Sequence, residues 1–445
     1  METIHAFFDW LNNSILSFPS TIFFFVVSVA LTIKTRFIQF RGFPRFLKLI
    51  RYGVSSSKKG DKKEGTISSF HALFTAMATT IGMGNVVTPS LAIMVGGPGA
   101  LFWLLFYMLL GSVTKFAEVS FALNTRKQLK GGFILGGPIQ YLHSISSLLA
   151  YWYGVIIVIV IMSWSSAQAN TLANIMAIEG VSHWIVGAAL ALFVMIALSG
   201  GAQRVGQFAS KIVPVMFVLY VIFALSILVQ YPQSLILAIK RIFSCAFTPA
   251  AAAGGFLGAT VFRAMREGMF RGIFITEAGL GTSAIPHSLA DTKNPTDQGI
   301  LAMGSMLADA FLSILSGLLV LVTGIWCVGT FRSTLTYEVF KLNSPGLGQY
   351  VLLISVILFV LTTVMGNSFN GVQSFGALVN DNKFLVRLYM AATVVVIFFG
   401  ALSPMKLLWD IMDVLLIFAA IPNLVGILIL SFSRPEVLKL SSSKR

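Results

Sequence analysis

Charge is scarce in this chain. Only 11% of its 445 residues are Asp, Glu, Lys or Arg, against about 25% in soluble domains, too little to coat a water-facing surface of this size. Cysteine is scarcer still: Cys245 and Cys327 stand apart without CxxC spacing, which excludes a disulfide framework and a thiolate metal site. The five histidines (His5, His71, His143, His183, His287) form neither an HExxH nor an i, i+4 pair, so zinc-type catalysis lacks its ligands. Without a nucleophile and base pair or a phosphate loop either, the chain is expected to be no enzyme and to carry no cofactor.

What the chain has is apolar length. Hydrophobic residues make up 56% of it and the mean hydropathy is +0.87. Windows long enough to cross a ~30 Å hydrocarbon core recur throughout. Eleven are expected, at 14–33, 68–95, 98–124, 149–177, 183–199, 207–230, 248–272, 299–326, 349–376, 385–402 and 406–432. The first follows an acidic stretch (Glu2, Asp9) with no basic n-region or small-residue cleavage site. It reads as a retained helix rather than a signal peptide.

The net charge of +15 invites a nucleic-acid reading, but its distribution excludes one. On alternate sides of eleven spans, 25 of the 31 Lys and Arg fall on one side. Five fall on the other (Lys240, Arg241, Arg332, Lys341, Lys406), and Lys115 lies within a span. The positive-inside rule then places the N-terminus outside and the C-terminus in the cytoplasm. KKGDKKE (58–64) is a solvated loop flanking the membrane. The expected partners are the lipid bilayer and a small solute, with no nucleic acid; the plasma membrane, or a bacterial inner membrane, is the expected location.

Two spans are interrupted. TTIGMGNVV (79–87) sets Gly82, Gly84 and Asn85 inside an apolar stretch, at or just past the expected midplane, and AAAGGFLGAT (251–260) sets Gly254, Gly255 and Gly258 in the seventh window. Each glycine weakens a helix by roughly 1 kcal/mol relative to Ala, and a lone amide in hydrocarbon is costly. The breaks lie five helices apart. Five is odd, so consecutive five-helix units enter the membrane from opposite sides, the pattern of an inverted-repeat transporter. The organisation expected is an extra helix and basic loop over 1–66, repeats over 67–232 and 233–433, and a cytoplasmic tail over 434–445. At such breaks freed N–H groups meet a carboxylate and freed C=O groups a small cation; close helix packing is the plainer alternative.

Other polar residues fall inside spans. Thr362 and Thr363 are paired hydroxyls suited to Na+, or to bonding their own helix carbonyls. Gln168 and Asn367 are amides that orient a polar solute or glue helices together. Lys115 and Glu118, three residues apart, are expected to pair as structural ions. Asp309, Asp410 and Asp413 are functional candidates by depth, with simple solvation near an interface as the alternative for Asp410 and Asp413. GMFRGIFITEAGLGTSAIP (268–286), with Arg271 and Glu277, reads as a gate or hinge, or as a capped re-entrant turn.

Several stretches together resemble the alanine or glycine:cation symporter family. IGMGNVV with GGPGALFW (96–103), SVTKFAEVSFA (112–122), GGPIQY (136–141), QAN (168–170), GGFLGATV (254–261), FRGIFITEAGLGT (270–282), LAD (307–309), TTVMG (362–366), LWDIMDVL (408–415) and AIPNL (420–424) follow its order from about residue 66 to 432. The resemblance implies an all-α, LeuT-like core of two five-helix inverted repeats preceded by one helix. It also implies import of a small neutral amino acid, alanine or glycine, with a cation, usually Na+. By motif position it places substrate at Gly82, Met83, Gly84, Asn85, Gln168, Gly255, Phe256, Gly258 and Asn367. The cation falls at Thr362 and Thr363, with Gly82 and Asn85 as further candidates; read from the residues themselves, Arg271, Glu277 and Asp309 are the candidates for gating or coupling. The chain departs from the family pattern at Met83, at Val86 to Thr88, at Ile275 and Thr276, and at Asn367 and Val372. H+ coupling and a transport-inactive sensor of the same fold remain as alternatives.

Overall fold

In a computed structural model, the residues described are 11, 17–53, 65–129, 132–248, 261–328, 335–343, 346–403 and 405–440. Apolar sequence with few internal breakers makes them almost wholly helical. The chain opens with α1 (Ser17–Lys34), α2 (Ile38–Arg41) and α3 (Phe43–Tyr52), then α4 (Ser69–Thr80) and α5 (Met83–Gly96), which are one span broken at Ile81 and Gly82. Next come α6 (Gly99–Thr125), a two-residue hairpin (Lys127–Gln128 with Ile134–Leu135), α7 (Gly137–His143), α8 (Ser147–Ile178), α9 (His183–Leu198) and α10 (Gly201–Leu228). The second half runs α11 (Pro232–Phe247), α12 (Val261–Thr276), α13 (Ala284–Ser288), α14 (Pro295–Thr323), α15 (Leu335–Asn343), α16 (Leu347–Leu378), α17 (Lys383–Leu402) and α18 (Met405–Ser433).

The order recurs between the halves. A helix of mixed apolar and basic residues (α3, α11) precedes a broken span, then a long helix, a short connector helix (α7, α15) and three more long helices. α8 and α16 are each 32 residues long, and α10 and α18 are 28 and 29. Among the described residues, eight helices are long and apolar enough to cross a membrane, or nine if the bent pair Phe18–Lys34 and Ile38–Tyr52 is one span. That is fewer than the eleven expected, because α9 has only 16 residues and residues 249–260 of the seventh window lie outside the described ones.

Gly254, Gly255 and Gly258 of the seventh window lie outside the described residues. The break described in this half comes after Thr276, between α12 and α13, with Glu277 at φ +56°, Gly279 at +97° and Gly281 at +78°. Only glycine adopts such angles without strain.

Burial separates core from rim. The Ser69–Gly96 span is 89% buried, whereas Gly201–Leu228 and Lys383–Leu402 are 33% buried and turn most of their apolar surface outward. α6 packs on α12 and α14, and α8 on α16, α17 and α18. Gly268 and Gly272 on α12, four residues apart, let its backbone meet α6: a Cβ at Gly268 would lie 2.2 Å from the Ala100 carbonyl oxygen. Gly268→Ala is therefore expected to cost about 1–3 kcal/mol by overpacking, read as a lower midpoint of unfolding in detergent. An unchanged midpoint would show that the two helices do not depend on this approach.

Candidate functional site at two helix breaks

The first break is lightly held. Gly82 N–H donates to Asn85 Oδ1 (3.1 Å), and Thr363 Oγ1 on α16 donates to the Ile81 carbonyl (3.4 Å). A Cβ at Gly82 would sit 2.4 Å from Thr363 Oγ1, so glycine is what allows this approach. Asn85 is fully buried and ties the break to α14: Nδ2 donates to the Asp309 carbonyl (3.3 Å) and to Asp309 Oδ1 (3.4 Å). The first-turn amides of α5, at Met83 and Gly84, have no partner within their own helix, as at any helix start.

The second break is clamped from all sides. Tyr107 hydroxyl donates to the Ala278 carbonyl (3.1 Å), Tyr153 hydroxyl to that of Leu280 (2.6 Å), and Asn423 Nδ2 to that of Gly279 (2.8 Å). Glu118 Oε1 accepts from Gly279 N–H (2.9 Å) and Asn423 Nδ2 (2.8 Å). Asn370 Nδ2 reaches the Thr282 carbonyl (3.4 Å), and Thr282 and Thr79 hydroxyls donate to Glu277. Left in hydrocarbon, each of these backbone groups would cost several kcal/mol.

Between the breaks lies a cavity of about 20 Å³, room for about one water. Gly82 and Gly84 line it from the first break, Phe274, Ile275 and Glu277 from the second, and Gln168, Thr363 and Asn367 from α8 and α16. Trp164 closes one wall edge-on against Phe274, with centroids 5.6 Å apart. Three lining residues carry buried polar atoms without a hydrogen-bond partner, Thr80 Oγ1, Trp164 Nε1 and Gln168 Oε1, the last two a donor and an acceptor on α8. A polar ligand is what such a pair lacks.

Several expectations change. Thr362 turns away: its hydroxyl donates to the Leu358 (2.9 Å) and Phe359 (3.0 Å) carbonyls of its own helix and faces Met216 of α10. A helix places consecutive side chains about 100° apart, so only one of two adjacent threonines faces the break. Met83, Asn85 and Asp309 do not line the cavity, although Asp309 stands beside Asn85 and its Oδ2 is unpartnered, as is Thr80 Oγ1. Arg271 lies between Glu267 (4.0 Å) and Asp413 (3.6 Å), pinning α12 to α18 rather than facing solute. Lys115 and Glu118 are not hydrogen-bonded to each other: the carboxylate serves Gly279 and Asn423. Gly255 and Phe256, like the side chain of Asp410, lie outside the described residues. Thr79, Thr80, Trp164, Phe274 and Ile275 were missed. Trp164 is four residues before Gln168 and so shares its helix face, a signal the sequence carried.

One side of the site is covered by α15. Thr336 hydroxyl donates to the Val86 carbonyl (2.8 Å), and Glu179, after α8, accepts from Tyr337 (2.7 Å), Lys341 (2.9 Å) and Gln349 (2.8 Å). The hydrogen bond from Tyr337, and then that from Lys341, hold the Glu179 carboxyl below the usual carboxylate range. A lowered folded-state value means that this latch contributes above the ordinary range and is lost as pH falls through the lowered value. Hydrogen exchange across α15 is expected to quicken on acidification in the wild type, and Glu179→Gln to exchange faster already at neutral pH. Equal exchange in both proteins at neutral pH would remove Glu179 from this role.

A model of the family described as the sodium:alanine symporter family matches residues 1–444. The chain is 33% identical over 418 residues to the sodium/alanine symporter AgcS of Methanococcus maripaludis, spanning 91% of this chain and 89% of that protein. It is 28% identical over 437 residues to the amino-acid carrier protein AlsT of Bacillus subtilis, spanning 94% and 90%. Among solved structures, that of MhsT in complex with L-phenylalanine is similar with a TM-score of 0.65, covering 86% of this chain and 94% of that one. At 14% identity that likeness concerns the LeuT-type fold alone.

Proposed function

The chain belongs to the sodium:alanine symporter family, and on that premise we propose that it imports a small neutral amino acid, alanine or glycine, coupled to Na+. The observation that carries the reading is the cavity wedged between two helix breaks, with buried Gln168 Oε1 and Trp164 Nε1 unpaired at its edge. The first-turn amides of α5 at Met83 and Gly84 hold the substrate carboxylate, as helix N-termini hold anions. Gln168 Oε1 accepts from the substrate ammonium. The narrow wall of Trp164, Phe274 and Ile275 favours a short side chain. The small volume means that binding proceeds through a more open state.

For the cation, hard oxygens gather on two sides of the first break. The Ile81 carbonyl and Thr363 hydroxyl lie on one, and Asp309 and Thr80, both with unpartnered oxygens, on the other. The ion contributes to coupling only if it favours one conformation over the other. The skewed Lys and Arg distribution supports a bacterial inner membrane or plasma membrane with the N-terminus outside and the C-terminus in the cytoplasm. The recurrence of helix order supports two five-helix halves over 67–232 and 233–433.

The test is uptake of labelled alanine into proteoliposomes under an inward Na+ gradient, against equal K+ on both sides. Accumulation only with the Na+ gradient is expected. Accumulation driven by a pH gradient alone would replace Na+ by H+, with Glu277 or Asp309 as carrier; binding without accumulation under any gradient would leave a sensor. Thr363→Ala is expected to abolish Na+ stimulation, whereas Thr362→Ala keeps it, because only Thr363 faces the break. Equal loss in both variants would overturn the assignment to Thr363.

A further inference from the structure

Lys115 is the one Lys or Arg buried among the described residues, 1% exposed, and its Nζ has no hydrogen-bond partner. α6 delivers it to the heart of the fold. Gly111, one turn earlier, would place a Cβ 3.4 Å from that of Ala278, and Glu118, three residues later, accepts from Gly279 N–H. Lys115 is therefore flanked along its helix by two residues that touch the second break.

Three carboxylates share this interior. Glu118 on the same helix is 0% exposed, Glu277 in the break 3% and Asp309 on α14 0%. α6, which carries Lys115, packs on α12, whose end leads into Glu277, and on α14, which carries Asp309. On α13, His287 Nδ1 is paired with Gln298 Nε2 (2.7 Å), and its Nε2 is buried without a hydrogen-bond partner. Glu118 Oε2 and Asp309 Oδ2 are unpartnered, like the ammonium itself. A formal count sets three negative charges against one positive charge, in a region too dry to sustain the imbalance.

We propose that Lys115 is a tethered counter-cation that sets how tightly the transported cation is held. It competes electrostatically with the mobile ion for the same carboxylates. Bound to none of them, it is free to shift toward Glu277 or Glu118 when the ion leaves the Asp309 side. The site is thereby kept from holding its cation too strongly to release it. This is a positioning role, exercised through the carboxylates, and it rests on the Na+-coupled reading above.

The experiment titrates Na+ against purified protein without amino acid, using intrinsic tryptophan fluorescence and thermal midpoint, alongside the Na+ dependence of alanine uptake. Lys115→Met is expected to lower the Na+ midpoint about tenfold, the effect of one charge removed nearby, and to slow turnover. Lys115→Arg should keep the midpoint near the wild-type value. Glu118→Gln, which removes negative charge and keeps an acceptor for Gly279, should raise it. A merely structural lysine would lower the thermal midpoint and leave the Na+ midpoint where it was, and that result in a monodisperse Lys115→Met protein overturns the proposal. Should that variant not fold, an unchanged Na+ midpoint in Glu118→Gln overturns it equally. A wild type with no Na+ response at all would instead overturn the Na+ reading, a failure visible before any variant is compared.

Discussion

Everything in this structure depends on satisfying backbone groups where two helices break inside an apolar bundle. Hydrocarbon offers no partner for a freed N–H or C=O, so the surrounding helices must supply one. At the second break they do so almost completely: Tyr107 and Glu118 from α6, Tyr153 from α8, Asn370 from α16 and Asn423 from α18 converge on residues 278–282. The first break is served by only Asn85 and Thr363. This asymmetry distinguishes the two breaks: the saturated one ties neighbouring helices together, and the lightly held one leaves first-turn amides without a partner in their own helix.

Close approach is the second theme, and it follows from the first. Side chains can reach a neighbouring backbone only where that neighbour is small. Thr363 meets Ile81 because residue 82 is glycine, and α12 lies against α6 because residues 268 and 272 are glycines. The result is a centre with little spare volume, about 20 Å³ between the breaks. Substrate therefore enters by movement of whole elements rather than by diffusion through a standing channel. α15, held to the Glu179 carboxylate by Tyr337 and Lys341, has an attachment that is partly exposed and salt-sensitive.

Charge is the third. In a chain with so few ionised residues, the placement of Lys115, Glu118, Glu277 and Asp309 in one buried region is the costliest choice made. It is also consistent with coupling, because a buried set of carboxylates short of positive charge responds to a cation more strongly than any exposed pair. Arg271 with Asp413 and Glu267 shows the ordinary use of such groups, as a strut between helices.

Hydropathy placed the spans, since nine of the eleven windows overlap a helix or bent pair long and apolar enough to cross a membrane, and TTIGMGNVV located the first break. Motif order pointed to the family, and an amide inside an apolar span marked Gln168 as a candidate. What the linear pattern does not carry is which neighbour a side chain meets. The break at 277–283 is held by side chains that lie over a hundred residues away in sequence. The choice between Thr362 and Thr363, the release of Lys115 from Glu118 and the turn of Arg271 toward Asp413 were decided by which neighbour each side chain meets. Composition and periodicity determine that helices form in lipid and roughly where they stop, because those costs are local. Which of their polar atoms stay unpaired around a cavity depends on helices brought together from across the chain, and only the tertiary structure settles it.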